Sequence, residues 1–195
     1  MNIAILGGTF NPIHLGHITM AQYVLENMDI DKICFLPNGQ PPHKKSTEII
    51  DKHHRLQMVK LATDYNDNFY ISDYEINQDK NCYTVDTIKY FNSLGDDKYY
   101  FIIGADSLLQ LSSWKNADEL KKICSFIVCD RGDRNDTSKE VERLKADGCD
   151  IILTNMPKIH IDSTTIRKKA RLGMDISEYV PHDVNQYIIK NRLYL

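Results

Sequence analysis

Two histidines, His14 and His17, stand three residues apart near the N-terminus, in the sequence G-G-T-F-N-P-I-H-L-G-H that begins at Gly7. Residues three apart share one face across a helical turn, so both imidazoles can reach the same ligand. The glycines let a ligand approach the backbone, and we expect them to permit a sharp turn after the first strand. The amides of Thr9 and Phe10 can then face an anion at the start of a helix. The pattern predicts a phosphate-binding turn between a strand and a helix.

Two other interpretations of this motif stay open from the residues alone. The histidines could be half of a metal site, although no third ligand is evident nearby. They could also be surface residues of an ordinary tight turn. Gly16, between the two histidines, has no side chain and leaves room for a flat ring. The phosphate-loop sequence G-x-x-x-x-G-K is absent from the motif.

The composition is ordinary for a soluble globular protein. A net charge of -3 provides no overall basic field, so we expect no nucleic-acid partner and no membrane partner. With no apolar run of membrane-spanning length and no signal segment, we expect a cytoplasmic protein. Five cysteines without a C-x-x-C pair indicate reduced, structural thiols.

Apolar, β-rich runs alternate with helical patterns along the chain, which predicts βαβ units. Runs without polar alternation, such as Tyr100–Ile103, are typical of strands covered on both faces. The predicted class is α/β, a Rossmann-like doubly wound parallel sheet with C-terminal helices. The predicted strands are Asn2–Leu6, Lys32–Leu36, Phe69–Ser72, Tyr99–Ile103, Ser125–Cys129 and Asp150–Leu153. The predicted helices are Gly16–Met28, Lys52–Tyr65, Thr84–Leu94, Ala117–Lys122, Ser138–Asp147, Ser163–Leu172 and Pro181–Asn191.

Ligands of such sheets bind beyond the carboxyl ends of the strands. Asp106 follows the fourth predicted strand and Arg131 the fifth. Two irregular stretches are also expected: a mobile basic loop at Pro37–Ile50, which contains Lys44, and a polar loop at Asp130–Thr137.

The N-terminal motif resembles the signature of the nucleotidyltransferases, whose H-x-G-H also recurs in class I aminoacyl-tRNA synthetases. Some 145 residues later, D-S-T-T-I-R at Asp162–Arg167 resembles the family's late S-S-T-x-I-R motif. Three further segments make the resemblance specific to one family: Pro41–Lys44, Tyr83–Thr87, and Ile103–Ser107 with the residues that follow to Trp114. With these, nearly the whole chain resembles the bacterial nicotinate mononucleotide adenylyltransferase family.

This resemblance implies transfer of AMP from ATP, with Mg²⁺, to the 5′-phosphate of nicotinate mononucleotide, giving deamido-NAD and pyrophosphate. It implies a single domain at 1–195, with a Rossmann-like core at 1–154 and a helical segment at 155–195 that completes the ATP site. The attacking phosphate is already an anion, so alignment and charge stabilisation matter more than a strong base.

The resemblance also implies roles for individual residues. His14, His17, Lys44 and Arg167 would carry catalysis, with His17 at the α-phosphate. The implied ATP-binding residues are Gly7, Gly8, Thr9, Phe10, His14, Gly16, His17, Lys44, Gly104, Asp106, Arg131, Ser163, Thr164 and Arg167. The implied mononucleotide-binding residues are Thr9, Phe10, Asn11, Lys44, Thr84, Asp106, Trp114 and Lys115. Trp114 would stack on the pyridine ring, and the group at Ser163–Arg167 would hold the β- and γ-phosphates.

Several residues have an ordinary structural alternative. Lys44 could be a solvated lysine, Ser163 a plain helix cap and Trp114 a core residue. Asp86 could equally be an exposed helical residue, and Arg55 and Tyr83 could be structural. Asp106 fits ribose hydroxyls better than Mg²⁺.

The sequence departs from the family pattern at three positions. Asn11 stands where many members have Asp, Asp162 replaces the first serine of the late motif, and Arg131 lacks the proline that often follows it. Asp162 places a negative charge near the expected phosphate site.

Rival functions also stay open. The chain could use nicotinamide mononucleotide or both mononucleotides. The pieces around Tyr83 and Trp114 argue against phosphopantetheine, and the intact basic residues argue against a non-catalytic nucleotide-binding regulator. A homo-oligomer is compatible with the sequence.

Overall fold

Short runs of β-branched and aromatic residues form six strands in the part of the chain that this computed structural model describes, residues 1–39, 49–130, 135–157 and 159–195. The strands are β1 (Asn2–Gly8), β2 (Lys32–Pro37), β3 (Phe69–Ile71), β4 (Lys98–Gly104), β5 (Ser125–Asp130) and β6 (Asp150–Asn155). The helices are α1 (Leu15–Asn27), α2 (Lys52–Thr63), α3 (Thr84–Asn92), α4 (Ala105–Leu109), α5 (Ala117–Ile123), α6 (Asn135–Ala146), α7 (Ser163–Arg171) and α8 (His182–Lys190), with one 3₁₀ turn at Leu111–Ser113.

The strands form one sheet in the order β3-β2-β1-β4-β5-β6. The pairings β1–β4, β4–β5 and β5–β6 are parallel, with Ile5 opposite Phe101 and Ile102 opposite Ile127. This order is that of a doubly wound Rossmann sheet, whose switch point lies between β1 and β4. The predicted fold class is confirmed.

The chain divides into two compact units, each built from separate stretches of sequence. The first unit comprises Met1–Gly7, Tyr23–Cys34 and Tyr83–Lys158. Its strands bury Ile5, Phe126 and Ile127 completely. Helix α3 packs against α5, where the ammonium of Lys89 lies 2.7 Å from a carboxylate oxygen of Glu119.

The second unit comprises Gly8–Gln22, Phe35–Cys82 and Ile159–Leu195. Helix α2 packs against α8, and Nδ1 of His54 lies 2.8 Å from the hydroxyl of Tyr187. The amide of Leu15, at the start of α1, donates to the carbonyl of Tyr179 at 2.9 Å. Residues that are distant in sequence therefore meet around the start of α1 within one unit.

All the predicted strands and helices exist, and the differences lie at their boundaries, in one loop and in two short helical segments. The sequence reading missed α4, which begins directly after β4, and the 3₁₀ turn that follows it. The polar loop expected at Asp130–Thr137 is wrong at its far end, since α6 begins at Asn135; Asp136 in its first turn favours a helix start. Most of the basic loop expected at Pro37–Ile50 lies outside the described residues.

The five cysteines lie within the described residues and are thiols; Cys34, Cys124, Cys129 and Cys149 are buried and Cys82 is half-buried. Burial raises the pKa of Cys149 to about 11, which favours the inert thiol. In the described ranges, no helix is both long enough and apolar enough to cross a membrane.

Candidate functional site

The sequence predicts that the dihedral angles of Gly7 and Gly8 shape the turn after β1. The structure does not show this. Gly7 and Gly8 are both still in the strand, and the left-handed residue is Phe10, with a φ of 47°. Gly8 is needed for space instead: a Cβ there would lie 3.0 Å from the ring of Phe10, which is buried. The expectation of a sharp glycine turn is therefore wrong, and the glycine admits an aromatic ring.

Arg55 of α2 holds this turn from inside the second unit. Its side chain is 1% exposed and donates from Nη1 to the carbonyl of Thr9 at 2.7 Å and from Nη2 to that of Gly39 at 2.8 Å. In a trans peptide the N–H points away from the C=O. The amide of Phe10 therefore points away from Arg55. From the sequence Arg55 could be structural, and these contacts with backbone carbonyls agree with such a role.

His14 and His17 form a stacked pair at the start of α1, as their spacing predicted. Their ring centroids lie 3.7 Å apart with an angle of 26° between the planes. The rings of Phe10 and His17 form a T-shaped contact with their centroids 5.0 Å apart. The backbone N–H of His14 donates to Nδ1 of His17 at 3.3 Å. Because Nδ1 accepts this bond, the proton of a neutral His17 ring is on Nε2.

Gly16 makes this stacking possible. A Cβ at Gly16 would lie 3.0 Å from Nδ1 and 3.1 Å from Cε1 of His14. The sequence predicts that the missing side chain of Gly16 leaves room for a flat ring. In the structure this ring is that of His14, which is only 6% exposed.

The late motif forms the start of α7 and bonds to the turn after β1. Asp162 is the N-cap, accepting from the amide of Thr165 at 2.9 Å, so the interpretation of Ser163 as the cap is wrong. Ser163 instead donates from Oγ to the carbonyl of Pro12 at 3.0 Å. The hydrogen bonds from Thr165 hold the pKa of Asp162 below its ordinary value. This carboxylate therefore serves the helix cap.

Arg167, one turn into α7, lies against the same turn. It donates from Nη1 to the carbonyl of Asn11 at 3.0 Å and from Nη2 to Oγ1 of Thr164 at 3.4 Å. Thr164 is exposed and Arg167 is half-buried. The structure thus brings together His14, His17, Ser163 and Arg167 around residues 10–12 of the second unit.

The side chain of Asn11 is bound by a residue that sequence reasoning missed. Its Oδ1 accepts from the hydroxyl of Tyr194 at 3.1 Å. No motif links these positions, which lie 183 residues apart, so only the fold could reveal the pair.

The residues expected to bind the mononucleotide occur in the first unit, apart from Thr9, Phe10, Asn11 and Lys44. Thr84 is the first residue of α3, and Trp114 ends the 3₁₀ turn, half-buried rather than in the core. Lys115 is exposed, with its ammonium 3.9 Å from the ring centroid of Tyr83. Tyr83 therefore links the segment after Trp114 to the start of α3.

The other positions expected at the site are Gly104, Asp106, Lys44 and Arg131. Gly104 ends β4, and Asp106 is exposed in the first turn of α4. Asp86 is likewise an exposed helical residue, in the first turn of α3. Lys44 and Arg131 lie outside the described residues. Among the residues described, no group of three or more His, Cys, Asp or Glu side chains is placed to hold a metal ion.

Comparison with known proteins identifies relatives over the whole chain. The family model Cytidylyltransferase-like matches residues 5–169. The entire chain is 43% identical to the "Probable nicotinate-nucleotide adenylyltransferase" of Caldicellulosiruptor bescii, covering 99% of that protein. It is 40% identical to the protein of the same name from Thermoanaerobacter sp., covering 94% of it. A solved structure of Plasmodium falciparum nicotinic acid mononucleotide adenylyltransferase, complexed with NaAD, matches with a TM-score of 0.81 and 25% identity, over 99% of this chain and 97% of that one.

Proposed function

Because this chain belongs to the cytidylyltransferase-like family and is a relative of the nicotinate-nucleotide adenylyltransferases, we propose that it transfers AMP from ATP to nicotinate mononucleotide. A 5′-phosphate oxygen of the mononucleotide attacks the α-phosphorus of ATP. The bond from that phosphorus to the oxygen bridging to the β-phosphate breaks. The products are nicotinate adenine dinucleotide (deamido-NAD) and pyrophosphate, a step of NAD biosynthesis.

The observation that carries this proposal is the stacked His14–His17 pair at the start of α1. The attacking oxygen is already anionic, so the reaction needs alignment and charge stabilisation rather than a strong base. A neutral His17 has its proton on Nε2 and can donate it in a hydrogen bond to an α-phosphate oxygen. His14, stacked beneath it, fixes the plane of that ring. Gly7, Gly8 and Gly16 leave space for the rings of Phe101, Phe10 and His14 respectively, and Thr9 and Phe10 contribute amide donors.

The remaining phosphates are assigned to α7. Ser163, Thr164 and Arg167 stand in its first two turns, where the helix dipole favours an anion and the guanidinium adds positive charge. The bonds from Ser163 to Pro12 and from Arg167 to Asn11 support a role for segment 155–195 in completing the ATP site of the single domain. Lys44 and Arg131 are further proposed ligands of the phosphates, and Gly104 and Asp106 of the ribose.

Mg²⁺ is proposed to enter with ATP, as part of the substrate. Members of this family work with a divalent metal and ATP. A Mg²⁺ ion on nucleotide phosphates needs few protein ligands, since it keeps several waters. Its role is to neutralise charge on the phosphates and on the departing pyrophosphate.

For the mononucleotide, we assign Trp114 to the pyridine ring, with Thr84 and Lys115 at its carboxylate. Trp114 is the only tryptophan of the chain, so its fluorescence reports on this residue alone. Titration with nicotinate mononucleotide is expected to quench it, since an indole stacked on an electron-poor ring changes its emission. A Trp114→Phe variant, which keeps an aromatic ring, is expected to bind more weakly without losing its fold.

The direct test is to incubate the protein with ATP, Mg²⁺ and one mononucleotide at a time, and to measure released pyrophosphate. We expect rapid release with nicotinate mononucleotide and slow release with the amide. Equal rates with both would replace the assignment by dual specificity. Release that does not depend on either mononucleotide, or none at all, would remove the adenylyltransferase proposal. We further propose that the protein acts in the cytoplasm.

A further inference from the structure

The contact between Tyr194 and Asn11 has a definite direction. Oδ1 of Asn11 accepts the Tyr194 hydroxyl at 3.1 Å and the backbone N–H of Ile50 at 3.4 Å. A backbone N–H can only donate, so the Asn11 atom that faces it is the amide oxygen. The Tyr194 hydroxyl must therefore donate its proton to that oxygen.

The surroundings of Tyr194 keep its hydroxyl protonated. The residue is 8% exposed and adopts a φ of 67°, a left-handed conformation that few residues other than glycine accept. Burial raises the pKa of this phenol well above its ordinary value, while the nearby guanidinium groups of Arg167 and Arg55 lower it by a smaller amount. Tyr194 is thus a donor throughout the pH range in which a cytoplasmic enzyme works.

The turn after β1 is held at several points, and Tyr194 supplies the shorter of the two hydrogen bonds described at Oδ1 of Asn11. The carbonyls of Thr9, Asn11 and Pro12 accept from Arg55, Arg167 and Ser163 respectively. Those bonds fix the backbone. Asn11 is 4% exposed, and among the described residues its side-chain oxygen accepts from Tyr194 and from Ile50.

We propose that Tyr194 is a positioning residue for the reaction, fixing Asn11 and through it the turn that leads into His14 and His17. This inference rests on the proposed function, because positioning is meaningful only if the turn binds the reacting phosphates. Tyr194 touches no reacting atom in this account. Its removal should lower turnover by loosening the alignment on which the reaction depends.

The test replaces Tyr194 by Phe, which removes the hydroxyl and keeps the ring. The matched control is Tyr187→Phe, which removes another hydroxyl of the same unit, bonded to His54 at 2.8 Å and not to the turn. We expect kcat to fall about tenfold in Tyr194→Phe, as for one lost hydrogen bond, while KM for ATP stays within about threefold. The control should keep the wild-type kcat.

Three further measurements separate positioning from a general loss of structure. The melting temperatures of the two variants should fall by similar amounts. In ¹⁵N-labelled protein without ligand, the amide signals of Asn11, Ile13 and His14 should shift in Tyr194→Phe and stay in place in the control. In the Asn11→Ala background, Tyr194→Phe should cause no further loss of kcat, because the partner is already absent.

Each of these outcomes either supports or overturns the positioning role of Tyr194. If Tyr194→Phe keeps the wild-type kcat, or if both variants lose activity equally, the positioning role is overturned. Unchanged amide signals at the turn overturn it even if the wild type releases no pyrophosphate. In that last case the proposed function fails separately, since the signals report on the contact without any reaction.

Discussion

Replacement of Gly16 by Ala should lower activity without a matching loss of stability. The added Cβ would lie 3.0 Å from Nδ1 of His14, whereas such atoms ordinarily keep 3.4 Å from their neighbours, so the ring must retreat by about 0.4 Å. Enzymes lose about 10²-fold for a displacement of about 1 Å, and on that logarithmic scale 0.4 Å costs about sixfold in kcat. Ala also favours the helix over Gly by ~0.5–1 kcal/mol, which offsets the crowding. We therefore expect a free energy of unfolding within about 1 kcal/mol of the wild type.

The assay is steady-state pyrophosphate release, with urea unfolding of the same preparations. Thr19→Ala is the control, because it also introduces alanine into α1, at a position that is exposed. In a His14→Ala background, Gly16→Ala should change kcat no further, because the ring it displaces is gone. A Gly16→Ala variant with the wild-type kcat would refute the argument that the close packing of His14 matters.

Three further changes should follow from the same contacts. His17→Ala should lower kcat by about 10²–10³-fold with an unchanged circular dichroism spectrum, since one preorganised donor is lost; near-normal activity would mean that the α-phosphate lies elsewhere. Arg55→Met should lower the free energy of unfolding by about 3 kcal/mol, measured in urea, because the carbonyls of Thr9 and Gly39 lose their donor; rescue by Lys would contradict the fork geometry. Asp162→Ala should cost about 1 kcal/mol at pH 7 and Asp162→Asn much less. Folding lowers the pKa of Asp162, so the charge-dependent part of this stabilisation is present above the ordinary carboxyl pKa and is lost as pH falls through the lowered pKa. A stability difference between wild type and Asp162→Asn that does not change with pH would contradict this prediction.

The sequence predicts those features of the molecule that depend on interactions between residues close together in the chain. The His14–His17 pair follows from helical periodicity, and the alternation of apolar runs with helical patterns was enough for the α/β class. Gly16 was recognised as leaving space, although only the structure shows that the ring filling it is His14.

Long-range contacts could not be predicted in the same way. Tyr194 meets Asn11 across 183 residues, and nothing in either local sequence indicates the pair. The sequence could not tell whether Ser163 or Asp162 caps α7, because both residue types are good caps; the fold turns Ser163 toward Pro12 and leaves the cap to Asp162. The sequence predicts that glycine dihedrals shape the turn after β1, yet Phe10 adopts the left-handed conformation, with its ring buried beside Gly8.

The central claim is that this chain moves an AMP group, and isotope transfer tests it most directly. The protein is incubated with nicotinate mononucleotide, Mg²⁺ and ATP labelled with ³²P at either the α- or the γ-position. The account predicts that the α-label appears in nicotinate adenine dinucleotide and that the γ-label appears only in pyrophosphate. A γ-label in the modified mononucleotide, or an α-label recovered only in free AMP or ADP, would contradict adenylyl transfer.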